Sequence, residues 1–84
     1  MMRFRIKELI AQKEFAEQRR VTLGEISQIT GIHRMTLSKI VNKHSYSTTT
    51  HHLDLLCEFF GCRVDQLMEH TPSNEIQKRT LEAG

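Results

Sequence analysis

An apolar run approaching the roughly 20 residues needed to span a bilayer is missing from this 84-residue sequence. The N-terminus also lacks the apolar stretch and small-residue cleavage site of a signal peptide. Both absences lead to the expectation of a cytoplasmic protein. No glycine-rich phosphate loop, nucleophile elbow or His-Glu-x-x-His pair is present, so none of the commoner catalytic frameworks is offered and an enzyme is not expected. The length excludes a two-domain enzyme and leaves no room for a separate ligand domain, so no cofactor and no small-molecule ligand is expected. Internal repeats and low-complexity segments are absent too, which argues against a solenoid or a linker.

Cysteine is scarce. Cys57 and Cys62 are the only two, with four residues between them and His51, His52 and His70 nearby. Structural zinc prefers closer pairs such as Cys-x-x-Cys, and Cys57 falls on an apolar helical stripe where a free cysteine acts as a small hydrophobe. His51, Asp54 and Glu58 share a helical face suited to a divalent ion, but a solvated polar face accounts for them as well. No metal site is expected, and a reducing compartment argues against a structural disulfide.

What the chain does have is helical periodicity. Hydrophobic residues make up 38% and charged residues 26%, a soluble globular balance. Residues 3–18 contain no glycine or proline, and Ile6, Leu9 and Ile10 sit at helical spacing, predicting a first helix. The opening Arg-Phe-Arg-Ile-Lys also alternates as a strand would, so a short β segment pairing across a dimer is an alternative. Thr22 and Glu25 form a capping box at the start of a second helix, Leu23–Thr30, which Gly31 ends. A third helix runs from Arg34 to Asn42. Thr49 is the predicted cap of a fourth, along which Leu53, Leu56, Cys57 and Phe60 line one face until Gly61. Val64, Leu67 and Met68 predict a short fifth helix. Residues 1–70 then form one domain and residues 71–84 a polar tail, frayed or ordered against a partner.

Charge is distributed unevenly. Residues 1–44 carry nine lysines and arginines against four glutamates, a net +5, whereas residues 45–84 carry a net −3. A basic surface on a small domain is the electrostatic footprint of a nucleic-acid binder. With residues about 100° apart and Leu37 at zero, Ile40 and Val41 fall within about 60° of it and define the buried stripe of the third helix. Met35, Ser38, Lys39 and Asn42 fall on the opposite side, flanked by Arg34 and Thr36, with no acidic residue among them. Arginine or lysine can donate to guanine O6 and N7, and an apolar side chain can touch the thymine methyl in the major groove.

Helix, glycine turn and helix, anchored inward by Ile26 and Leu37, have the form of a helix-turn-helix. The stretch ITGIHRMTLSKIVNK resembles the Cro and lambda-repressor type of that motif, often called the XRE family. The downstream LDLLCEFFGCRVDQLME is similar to the closing helices of the same family. The resemblance spans roughly residues 4–70 and implies an all-α, compact five-helix DNA-binding domain whose third helix enters the major groove. By position, Arg34, Met35, Ser38 and Lys39 match base-reading residues, and Asn42 and Lys43 match phosphate contacts. Three departures stand out. Leu23 replaces the glutamine with which members often hold the backbone near Thr22, and Ser27 replaces the alanine at the helix crossing. The chain is also several residues longer than the common pattern between Lys13 and Thr22.

Further phosphate contacts are expected from Thr22, Arg19, Arg20, Thr36, His44, Tyr46 and Thr48, with Ser45 and Ser47 alongside. The sequence therefore leads to a transcriptional regulator that binds double-stranded DNA as a homodimer on an inverted repeat, in the cytoplasm and on the nucleoid. The alternative is a protein-interaction module such as an antitoxin or adaptor, with exposed Ile29 and Phe59 forming the seam.

Overall fold

In a computed structural model, residues 1–43 and 46–72 are described. The elements run β1 (Met2–Phe4), α1 (Ile6–Glu17), α2 (Leu23–Thr30), α3 (Arg34–Asn42), α4 (Thr50–Phe60), α5 (Val64–Leu67) and β2 (Met68–His70). Among the described residues five helices are present, as the periodicity predicts. The polar tail after Pro72 lies outside the described residues, as do His44 and Ser45.

Local chemistry sets most helix ends. The Thr22 hydroxyl accepts from the Glu25 amide at 3.1 Å, and the Thr49 hydroxyl accepts from the His52 amide at the same distance, each satisfying one orphan N–H. Gly31 and Gly61 end α2 and α4 at φ of +80° and +62°, the left-handed region that a Cβ disfavours. The predicted capping box at Thr22 is only half made. The Glu25 carboxylate turns away from the Thr22 backbone to take a 2.6 Å bond from Arg19 Nη1.

Among the described residues eight form the core: Ile6, Val21, Ile26, Ile32, Leu37, Ile40, Leu56 and Leu67. Every helix contributes at least one, and among the described residues no polar or charged side chain is buried. Helix α2 packs against both α3 and α4, while α1 reaches α3.

Two boundaries differ from the sequence reading. Helix α1 starts at Ile6 rather than Arg3, because residues 2–4 pair antiparallel with residues 68–70, Met2 opposite His70, Arg3 opposite Glu69 and Phe4 opposite Met68. For the same reason Met68 is extended and not part of α5. The strand-like alternation at the N-terminus is thus meaningful, but its partner is the segment after α5 of the same chain and not a second copy. Arg3 bridges Glu69 across the strands and Glu8 on α1, and the Arg5 amide donates to the Leu67 carbonyl at 2.7 Å. The extra residues after Lys13 extend α1 to Glu17 and then form a short corner. There Gln18 is left-handed, at φ +53°, and the Val21 amide donates to Glu14 Oε2 at 2.9 Å.

Candidate nucleic-acid interface

Helices α2 and α3 are joined by residues 31–33, and side chains hold this turn from both sides. The Ser27 hydroxyl donates to the Ile32 carbonyl at 2.7 Å. The Thr30 hydroxyl accepts from the Ile32 amide at 3.2 Å and donates to the Ile26 carbonyl at 2.6 Å. Ile32, 1% exposed, plugs the space beneath the turn. His33 caps α3, its Nδ1 accepting from the Met35 amide at 3.2 Å, a role not anticipated from the sequence because histidine is not among the usual caps.

With the turn fixed, the rotation of α3 follows from burial. Leu37 and Ile40 are each 1% exposed, so the opposite face looks outward. Arg34, Met35, Lys39, Asn42 and Lys43 are exposed, Met35 by 64%. Thr36 and Ser38 are half-buried on the flanks. Asn42 Nδ2 donates to the Ser38 carbonyl at 2.9 Å and lies 3.3 Å from its hydroxyl, so these two predicted contact residues form one polar unit.

The cations of this face differ from those paired elsewhere on the surface, although Arg5, Lys7 and Arg20 are also without an ion pair among the described residues. Among the described residues, ion pairs form at Arg3 with Glu8 and Glu69, Lys13 with Glu17, Arg19 with Glu17 and Glu25, and Arg63 with Asp65. Arg34, Lys39 and Lys43 have no such partner there. The cause is compositional: no aspartate or glutamate occurs between Glu25 and Asp54. A cationic helix face with no carboxylate in its own segment keeps its full attraction for a polyanion.

The remaining predicted residues fall into three groups. Thr22 and Arg20 are exposed near the start of α2. Arg19 sits beside them but is occupied: its guanidinium holds Glu17 and Glu25 and leans on the Arg20 carbonyl. Those bonds push the Arg19 pKa up and hold both carboxyls below the usual range, through the Arg19 hydrogen bond first at Glu25 and the Lys13 bond first at Glu17. Tyr46 and Thr48 line a cleft with Phe4, Leu53 and Met68, and the Thr48 hydroxyl lies 3.2 Å from His52 Nδ1. Tyr46 is thus half packed against the core.

Lys7 was not foreseen. It lines a cleft with Asn42 and Lys43 at the C-terminal end of α3, together with Arg3 and Glu8. Only the docking of α1 on α3 brings it there, and no local sequence signal marks it.

A family model described as the Cro/C1-type HTH DNA-binding domain matches residues 5–73. Comparison with curated proteins and with solved structures gives no match.

Proposed function

Because the chain belongs to the Cro/C1-type HTH DNA-binding domain family, we propose that it is a sequence-specific transcriptional regulator that lays α3 along the major groove of double-stranded DNA. The observation that carries this reading is the outward face of α3, cationic and unpaired among the described residues, on a helix whose opposite side is buried. In this reading Arg34 and Lys39 donate to base edges, Met35 meets thymine methyls, and Ser38 lets the helix approach closely. Lys43, Arg20, Thr22, Thr36 and Asn42 hold phosphates, with His44, Tyr46 and Thr48 at the loop before α4. Lys7, which lines the same cleft as Lys43, joins it in holding phosphate. Arg19 reaches a phosphate by exchanging it for Glu17 and Glu25.

The regulator acts as a homodimer, whose two α3 helices enter successive major grooves about 34 Å apart on an inverted repeat. One copy presents a small interface, and doubling it supplies specificity. It works in the cytoplasm on the nucleoid, with residues 1–70 as the reading domain.

Selection from a random-sequence duplex pool, followed by gel mobility shift, tests this. Enrichment of one motif with two-fold symmetry is the expected result. A pool that stays random at low salt overturns the proposal.

One observation favours the protein-binding alternative. Ile29, 64% exposed, lines a single cleft with Leu55 and Phe59, so the two residues named as a possible seam do lie together. Protein capture through this cleft with no enriched DNA motif is the outcome that would select the adaptor reading.

A further inference from the structure

We propose that Cys57 and Cys62 form a reversible dithiol and disulfide pair, an oxidative modification site at the corner between α4 and α5. These are the only cysteines in the sequence. The Cys62 amide donates to the Cys57 carbonyl at 3.0 Å, and the Gly61 amide to the Glu58 carbonyl at 3.3 Å. These two crossed bonds around a left-handed glycine are the Schellman arrangement, in which the side chains three positions before the helix end and just past the glycine come together. Here both of those side chains carry sulfur.

Standard backbone dimensions and the 3.0 Å bond place the two Cα atoms at most about 7 Å apart, and closer where the path bends. Protein disulfides span Cα separations of about 4.4 to 6.8 Å. Both residues are half-buried, neither sealed in the core nor fully in solvent. The Cys62 thiol is pushed up by burial and, next, by the Cys57 thiol beside it. Among the described residues no group of three or more His, Cys, Asp or Glu could hold a metal ion.

The oxidant is a hydroperoxide. The Cys57 thiolate attacks one peroxide oxygen, giving a sulfenic acid and one water once the released hydroxide is protonated. The Cys62 sulfur then attacks the oxidised sulfur, the S–S bond forms, and the hydroxyl leaves as a second water. Two thiols lose two protons and two electrons, and one hydrogen peroxide becomes two waters. A half-exposed bridge is open to attack by a reducing thiol, which restores both cysteines. The bridge locks Gly61 and the start of α5, while α3 contributes no residue to it.

The experiment uses the full chain, treated in its folded state with hydrogen peroxide, quenched with a maleimide and weighed intact. The expected product is a monomer lighter by about 2 Da that takes up no maleimide until dithiothreitol is added. The loss should map to the peptide containing both cysteines and should form faster in the folded chain than in urea. In Cys62→Ser, a dimedone-reactive sulfenic acid should accumulate on Cys57 instead. Intermolecular dimers, sulfinic acid as the main product, two unreacted thiols, or equal rates folded and unfolded would each overturn the proposal. No step involves DNA, so the outcome is independent of the proposed regulator function.

Discussion

Ser27 occupies the crossing of α2 and α3, where the resemblance to the Cro and lambda-repressor type sets alanine. Its hydroxyl donates 2.7 Å to the Ile32 carbonyl, closing the turn from the α2 side. Ser27→Ala should therefore lower stability by about 1 kcal/mol, the net worth of one such bond, visible as a lower urea midpoint with an unchanged slope. On α3 the exposed cations separate by task. Lys39→Ala should cost about 1 to 3 kcal/mol on the selected duplex and relax preference at one base position. Lys43→Ala should weaken every sequence alike and reduce the salt slope by about one. Anisotropy titrations over a set of site variants and salt concentrations distinguish the two, and a base-specific effect at Lys43 would contradict its placement.

At the scale of elements, the corner between α1 and α2 combines a left-handed Gln18, the Val21 amide on Glu14, and Arg19 shared by Glu17 and Glu25. Both of the latter carboxyls sit below their ordinary value, so each favours the folded state above the usual carboxylate range. That contribution is lost as pH falls through their lowered values, when both states become protonated. Thermal melts of the wild type and Arg19→Ala should thus differ at neutral pH and converge under acid conditions. A difference that persists in acid would mean that Arg19 stabilises the corner by packing. Periodicity could not reveal this network, because its members lie two and six residues from Arg19 and meet only through the bend at Gln18.

At the scale of the molecule, the core among the described residues is eight buried aliphatic residues drawn from the five helices described and from the connections that carry Val21 and Ile32. Leu56, on α4, is 0% exposed. Leu56→Ala should cost about 2 to 5 kcal/mol, a large share of the stability of so small a domain. Chemical denaturation measures the loss directly. DNA affinity should fall only in proportion to the unfolded fraction, since no residue of α3 changes. The strand pair ties residues 2–4 to the segment following α5, so this core is closed by contacts between residues far apart in the sequence.

The sequence alone determined the order and nature of the helices, because apolar spacing, the caps Thr22 and Thr49 and the stops Gly31 and Gly61 act within a few residues of one another. It likewise determined which side of α3 is cationic, since the apolar positions Leu37, Ile40 and Val41 on one helix fix where the others point. Tertiary structure decided what depends on distant partners: that residues 2–4 form a strand with residues 68–70, that Lys7 stands beside Lys43, and that Arg19 is held by carboxylates while Lys39 is not. Such pairings are settled by how helices dock, and a one-dimensional pattern of spacing carries no record of them.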